Sequence, residues 1–205
     1  MTIAVLTTGG TIGAEPYPDP VHPPRDITLP PEGVDYVRDV VASHFFHLNA
    51  HCLTLPPRDS KDIDACYRWI LFEAIAARPE KAIAVTHGSD AAMATLDALF
   101  CQFCFYPEFF EGKKIVVIGS MTPLANGPGY DALPNLAFGL DLLAHHFDKL
   151  PPVGSVFSRD LGNGVWGPDY QPHYPDTYDK IRGFDGTRFH FAARPGVRQP
   201  PALVL

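Results

Sequence analysis

The stretch Ala82–Asp90, AIAVTHGSD, carries the pattern that decides the fold. Its first five residues, Ala82–Thr86, are apolar or β-branched and predict a short buried strand. The apolar residues that follow recur at helical spacing: Met93, Leu96, Phe100 and Phe103. A buried strand that leads directly into a helix is typical of an α/β protein.

Four residues, His87, Gly88, Ser89 and Asp90, fall at the predicted carboxyl end of this strand. Open α/β sheets bind their ligands at such ends, beside helix amino termini that favour anions. The adjacent hydroxyl and carboxylate of Ser89 and Asp90 are therefore candidate site residues. Capping of the helix by either side chain explains the same two residues equally well, so both interpretations stay open.

The same alternation of strand and helix recurs along the chain. Further predicted strands are Thr2–Thr7, Lys113–Gly119 and Val153–Phe157, and further predicted helices are Gly33–Leu48, Lys61–Arg78 and Asp131–Phe147. Pro56–Ser60 predicts a break, with Asp59 or Ser60 as the cap of the helix that follows. We therefore predict an α/β fold with a mainly parallel sheet and helices on both faces.

The predicted domain covers residues 1–158. Residues 159–205 are rich in Pro, Gly and aromatic residues, and we expect this C-terminal extension to pack on the same domain. It contains one candidate strand, Thr187–Ala192.

Bulk composition excludes several classes of partner. The 205 residues are 46% hydrophobic and 19% charged, which is ordinary for a globular protein with one core. A net charge of −7 argues against a broad surface for nucleic acid or for anionic membranes. Because we find no signal peptide and no apolar segment of membrane-spanning length, we expect a cytoplasmic protein.

Cysteine and histidine usage predicts no metal site. In a cytosolic protein the four cysteines, Cys52, Cys66, Cys101 and Cys104, are expected to be free thiols. Cys101 and Cys104 form a CxxC, but it ends a helical pattern, so core packing is favoured over redox chemistry. His44, His47 and His51 recur about once per turn, and a solvated helix face is favoured over metal binding.

A glycine-rich turn follows the first predicted strand. Gly9, Gly10 and Gly13 do not have the spacing of a dinucleotide-binding loop, and a proline-rich segment follows them instead of a helix. This segment, Glu15–Pro31, is either a lid over a site or a surface loop.

The residues at the predicted strand ends and in this loop suit one type of chemistry. They are three hydroxyls, a carboxylate and a phenol: Thr11, Ser60, Ser89, Asp90 and Tyr17. A hydroxyl attacks a carbonyl once a neighbouring base takes its proton, and backbone N–H groups in glycine turns stabilise an oxyanion. These parts favour amide or ester hydrolysis. Gly88–Ala92 lacks the second glycine of an α/β-hydrolase elbow, and the chain has no Walker A loop.

Four motifs of the chain, in the same order and at similar spacing, resemble those of the bacterial-type L-asparaginases. They read TTGGTIG at Thr7–Gly13, RDS at Arg58–Ser60, VTHGSD at Val85–Asp90, and VIGSMTP…YDALPNL from Val117 to Leu136. The resemblance covers about Met1–Phe147. It implies an enzyme without metal or cofactor that hydrolyses L-asparagine to L-aspartate and ammonia, and that forms a homo-oligomer.

The resemblance also implies roles for individual residues. Thr11 matches the nucleophilic threonine and Tyr17 the tyrosine paired with it, whereas Ser89 and Asp90 stand where the family has Thr-Asp. Ser60 and Asp90 would hold the α-carboxylate and α-ammonium groups of the substrate. Neighbouring residues complete the expected substrate-binding set: Gly10, Asp59 and Gly88. Lys180 is the counterpart of the catalytic lysine or, equally well, a surface lysine.

Three departures from the family pattern keep other functions open. Ser89 replaces threonine, Ala91 stands where many relatives have a second threonine, and we expect the chain to lack the second domain of longer relatives. One alternative is an amino-acid-binding module with weak or no turnover. Another is a hydrolase for glutamine, a D-amino acid amide or another small amide.

Overall fold

A computed structural model gives the architecture of the chain. It describes the backbone of residues 1–20, 22–160, 166–173, 178–184 and 189–193, and the side chains of 1–20, 22–159 and 167–173.

A six-stranded sheet in the order β2-β1-β3-β4-β5-β6 forms the centre of the domain. Its strands are β1 (Ile3–Gly9), β2 (Ala50–Arg58), β3 (Ala82–Thr86), β4 (Lys114–Ile118), β5 (Val153–Asp160) and β6 (Trp166–His173). The first five are parallel, and β6 pairs antiparallel with β5. Two further strands, β7 (Tyr178–Phe184) and β8 (Phe189–Ala193), pair antiparallel with each other.

Helices cover both faces of this sheet. They are α1 (Tyr36–His44), α2 (Ala65–Ala76), α3 (Ser89–Phe105), the short α4 (Pro107–Phe110) and α5 (Ala132–His145). Strand residues alternate between two cores, so that Val5 packs with α1 and α5 whereas Leu6 packs with α2 and α3. The predicted α/β fold with a mainly parallel sheet and helices on both faces is confirmed.

Sequence patterning missed β2. We interpreted Pro56–Ser60 as a break, but β2 continues to Arg58 as an edge strand in which only Leu55 is buried. An edge strand with little burial shows neither a continuous apolar run nor clean alternation, and it tolerates proline because one side needs no backbone donor. The strands β6 and β7 were also missed, and the candidate strand Thr187–Ala192 corresponds to β8, Phe189–Ala193.

Two predicted helix caps are wrong. The amino terminus of α2 is capped by Asp64, whose carboxylate accepts a hydrogen bond from Tyr67 N at 2.8 Å. Asp59 instead caps the preceding 3₁₀ turn, Ser60–Asp62. The N-cap of α3 is Gly88, so neither Ser89 nor Asp90 caps that helix.

The CxxC is exposed, so the prediction of core packing is also wrong. The four cysteines are free thiols, as expected, but Cys101 and Cys104 both lie on the surface. The apolar stripe of α3 continues through Leu99, Phe100 and Phe103. These three residues fill the core-facing side of the helix and leave the two cysteines on the other side.

Two features are absent from the described residues. No helix in them has the length and apolarity needed to traverse a bilayer. Within the same residues, no group of three or more His, Cys, Asp or Glu side chains is arranged to hold a metal ion. His44, His47 and His51 are exposed, which agrees with a solvated face.

Candidate functional site

The site lies where the strand order reverses. From β1 the chain passes to β2, which lies next to β1 on one side, and then to β3, which lies next to β1 on the other side. Connections therefore diverge from the carboxyl ends of β1 and β3 and leave a crevice between them. The Thr8 hydroxyl donates a hydrogen bond to the Thr86 carbonyl oxygen at 2.6 Å and ties these two ends together.

Three turns meet in this crevice through glycine backbone. Gly10 has a φ of +69°, and a Cβ placed on it would lie 2.2 Å from the Gly88 nitrogen. A Cβ on Gly88 would lie 2.5 Å from the Ser60 Oγ. Only residues without a side chain permit this approach. The ends of β1 and β3 and the turn after β2 are therefore in direct contact.

The Thr11 hydroxyl lies close enough to the Tyr17 phenol to interact with it. Thr11 begins a 3₁₀ turn immediately after β1, and Tyr17 is only 7% exposed. Burial raises the pKa of Tyr17, and although the interaction with Thr11 opposes this shift, the net pKa lies above the usual value of 10. Tyr17 is consequently a neutral phenol at pH 7 and does not serve as a resident phenolate base.

Three carboxylates surround the phenol. The charges of Asp59, Asp131 and Asp90 each raise the pKa of Tyr17 further. Asp59 and Ser60 lie in the turn after β2, and Asp90 lies in the first turn of α3. A crevice with this much negative charge attracts a cationic group such as an ammonium.

His87 lies beneath the turn that carries Ser89 and Asp90. It is fully buried, and burial lowers its pKa to about 4. Its Nδ1 is 2.7 Å from the Gly88 carbonyl oxygen, which can only accept, so Nδ1 carries the proton. The neutral Nε2 then accepts a hydrogen bond from the Thr95 hydroxyl at 2.9 Å. Through these two hydrogen bonds the neutral imidazole connects the backbone of the turn at Gly88 to Thr95 in α3.

The loop after β4 supports the site from the other side. The Asp131 carboxylate accepts hydrogen bonds from Met121 N at 2.8 Å, from Thr122 N at 3.0 Å and from the Ser158 hydroxyl at 3.1 Å. The Asn135 side chain donates to the Gly119 carbonyl at 2.7 Å. These bonds fix the backbone of the loop immediately beyond the strand.

Asn126, in the middle of this loop, contacts Tyr17 directly. The Tyr17 N–H donates to Asn126 Oδ1 at 2.8 Å, and Asn126 Nδ2 donates to the Tyr17 carbonyl at 2.9 Å. Sequence reasoning quoted the motif around Asp131 but gave neither Asp131 nor Asn126 a role. The turn signal Asn126-Gly127 was the only indication that this segment is special.

The structure brings together most of the residues predicted from sequence. Thr11 and Tyr17 interact through their side chains, Gly10, Ser60 and Gly88 are in contact, and Asp59 and Asp90 lie near the phenol. Ser89 opens α3 beside them. The backbone of Lys180 belongs to β7, but its side chain lies outside the described residues.

Comparison with known proteins identifies relatives of this arrangement. Residues 2–182 match the family model described as "Asparaginase, N-terminal". A search of curated proteins finds no match.

Two solved structures with related folds are L-asparaginases. The probable cytoplasmic L-asparaginase of Campylobacter jejuni is 19% identical, with a TM-score of 0.53 over 78% of this chain and 44% of its own. The thermostable L-asparaginase of Thermococcus kodakarensis is also 19% identical, with a TM-score of 0.51 over 98% of this chain and 58% of its own. This chain therefore spans roughly half the length of the structures that it resembles.

Proposed function

Because the chain belongs to the asparaginase family, we propose that it hydrolyses L-asparagine to L-aspartate and ammonia. The observation that carries the proposal is the meeting of the Thr11 hydroxyl and the Tyr17 phenol at the carboxyl ends of β1 and β3. A hydroxyl beside a group that can relay its proton, in the crevice where sheets of this order bind ligands, supports attack on a carboxamide.

In the first half of the reaction, Thr11 Oγ attacks the carboxamide carbon of the substrate. A C–O bond forms, the C–N bond breaks, and ammonia leaves with the proton that the hydroxyl gave up. Since Tyr17 is a neutral phenol, its role is to relay this proton, not to store it as a phenolate. Water then attacks the acyl ester, releases aspartate and restores Thr11.

Recognition of the amino acid uses the charges around the crevice. The Asp90 carboxylate pairs with the α-ammonium group, and the Ser60 hydroxyl donates to the α-carboxylate. The amino terminus of α3, a helix of 17 residues, also favours that carboxylate. Gly10, Gly88, Asp59 and Ser89 complete the pocket, and Ser89 provides a second hydroxyl near the amide.

The test is ammonia release by the full chain and its Thr11→Ala and Thr11→Ser variants. We expect Thr11→Ala to lose at least about 1,000-fold in kcat, as for other removed nucleophiles, and Thr11→Ser to retain part of the activity. Calorimetry with aspartate provides the control, and its affinity should change by less than about threefold. If the wild type binds aspartate but releases ammonia from no small amide, the chain is a binding module and the proposal fails.

A panel of amides defines the substrate. Asparagine, glutamine, D-asparagine and a small amide without an α-ammonium group are compared by kcat/KM. Asparagine should be preferred, and the amide without the ammonium should be the poorest substrate because it leaves Asp90 unpaired. A preference for glutamine or for the D-amide would reassign the substrate but keep the mechanism.

Three further expectations accompany this function. Lys180 would assist deprotonation of the Ser89 hydroxyl, and Lys180→Met should lower kcat if it does. We also propose a homo-oligomer, which sedimentation of the full chain tests. A cytoplasmic location is supported by the name of the Campylobacter jejuni neighbour.

A further inference from the structure

The carboxamide of Asn126 pairs with both backbone groups of Tyr17. The two hydrogen bonds, of 2.8 and 2.9 Å, use one acceptor and one donor and join residues 109 positions apart in the chain. A neutral carboxamide offers both a donor and an acceptor on one planar group. Aspartate, which has no donor, and leucine, which has neither, cannot reproduce the pair.

Asn126 is itself held firmly. It ends the 3₁₀ turn Leu124–Asn126, in which its N–H bonds to the Pro123 carbonyl at 3.1 Å and Leu124 is buried. Gly127 closes the turn with a φ of +93°. The carboxylate of Asp131 anchors the start of the same loop at Met121 and Thr122. Tyr17 is therefore bonded to a fixed support.

Among the described residues, the segment that carries Tyr17 is also attached at its base and through Asp26, whose carboxylate accepts a hydrogen bond from Lys61. We call Glu15–Thr28 the Tyr17 loop. Its base is closed by one backbone hydrogen bond, from Glu15 N to the Thr28 carbonyl at 2.8 Å, and the Tyr36 hydroxyl donates to the Glu15 side chain at 3.1 Å. Among the described residues, the Asn126 pair holds the backbone of Tyr17, whereas the Thr11 hydroxyl interacts with its phenol. The position of the phenol beside Thr11 consequently depends in part on this pair.

We propose that Asn126 is a positioning residue that sets the register of Tyr17 against Thr11 through this two-point backbone pair. The proposal rests on the proposed function, because it concerns the rate of the Thr11 step. Within the described residues, both hydrogen bonds of the Asn126 side chain go to Tyr17, so its effect on Thr11 passes through Tyr17. Loss of the pair leaves the pocket intact but lets the phenol move away from the hydroxyl, so turnover falls while ligand binding stays.

Asn126→Ala, Asn126→Asp and Tyr17→Phe, together with the double variant Asn126→Ala/Tyr17→Phe, test this coupling. Asn126→Ala should lower kcat about tenfold or more and change aspartate affinity by less than about threefold. Asn126→Asp is nearly isosteric but lacks the donor, so it should lower kcat as well. In the Tyr17→Phe background, Asn126→Ala should add less than about twofold, because the group through which it acts is already gone.

Asn49→Ala is the matched control. Asn49 also donates from its side chain, to the Thr2 hydroxyl at 2.7 Å, but at an exposed place on the other end of β1. This variant should leave kcat unchanged. An effect of Asn126→Ala that is equally large with and without the Tyr17 hydroxyl, or an unchanged kcat in Asn126→Ala, overturns the proposal.

A second readout does not depend on turnover. Hydrogen exchange of the Tyr17 amide should be at least about tenfold faster in Asn126→Ala than in Asn49→Ala, since the amide loses its only acceptor among the described residues. An unchanged exchange rate of the Tyr17 amide in Asn126→Ala would refute the hydrogen-bonded pair between Asn126 and Tyr17. If the wild type releases no ammonia but the exchange result is as expected, the proposed function fails, whereas the positioning of Tyr17 by Asn126 is supported.

Discussion

The two halves of the site are held in different ways. The turns after β1 and β3 touch through glycine backbone, with a φ of +69° at Gly10 and virtually no free space at Gly88. In the described residues, the Tyr17 loop is held by polar bonds from side chains, among them the two of Asn126. Backbone contacts cannot be removed one at a time, whereas side-chain bonds can. A single substitution in the first half should therefore disrupt all of its contacts together, whereas substitutions in the second half should remove its side-chain bonds one at a time.

The largest effect is expected at the glycine contact. Gly10→Ala forces a side chain into a left-handed conformation and places its Cβ 2.2 Å from the Gly88 nitrogen. Both the strain and the clash with backbone destabilise the fold, by about 3 kcal/mol or more together. Chemical denaturation measures this loss, and activity should disappear even at temperatures where the variant stays folded.

Gly33→Ala is the control for backbone strain alone. Gly33 has a φ of +86°, yet a Cβ on it would meet nothing within 4 Å. Its substitution should cost only about 1 kcal/mol and leave activity unchanged. Equal losses for the two variants would mean that the contact between Gly10 and Gly88 contributes nothing beyond conformation.

An intermediate effect, with a distinctive pH dependence, is expected at His87. Its pKa is lowered from 6.5 to about 4 in the folded protein, so the unfolded chain binds a proton that the folded protein rejects. Stability therefore falls as the pH drops from about 6.5 to about 4, by about 3 kcal/mol in total, and no further below that range. His87→Asn should remove this part of the pH dependence, and at pH 7 it should cost about 1–3 kcal/mol because Thr95 loses its partner.

Denaturant unfolding between pH 4 and pH 8 measures the difference. His51→Asn, which changes an exposed histidine, is the reference for the substitution itself. The interpretation is wrong if the stability difference between wild type and His87→Asn is the same at pH 4.5 as at pH 7.

The contrast between the two halves also explains what sequence reasoning could find. Ala82–Thr86 is buried on both faces, so its apolar run predicts the strand with its observed bounds. The strand β2 lies at an edge and is mostly unburied, so its pattern is indistinct and the turn that presents Asp59 and Ser60 was read as a break. Buried positions require apolar residues, which produces a recognisable pattern in the sequence, and an edge strand with few buried positions shows little of this pattern.

The prediction of site residues from sequence has the same limit as the prediction of strands. Thr11, Tyr17, Ser89 and Asp90 were predicted as site residues from local signals, a glycine turn, a loop and a strand end, and from the family resemblance. Asn126 could not be found in this way, because its hydrogen-bond partner lies 109 residues away. A carboxamide in a turn looks the same in sequence whether or not it pairs with another segment.

The smallest effect is expected at the outer attachment of the Tyr17 loop. Lys61 Nζ donates to the Asp26 carboxylate in this loop and lies 3.2 Å from Asp59 Oδ2, so it bridges the loop and the turn that carries Asp59. Lys61 and Asp26 are 45% and 73% exposed, so water and salt weaken their attraction.

Asp26→Asn should raise KM by no more than about threefold at low ionic strength and have no effect at 0.5 M salt, where screening has already weakened the pair in the wild type. Asp141→Asn, which removes the exposed Asp141–His145 contact on α5, should change KM at neither ionic strength. The difference between these variants isolates what the bridge does, because both lose one surface carboxylate. A tenfold fall in kcat for Asp26→Asn would contradict this weak role and would show that the loop depends on its outer end as much as on Asn126.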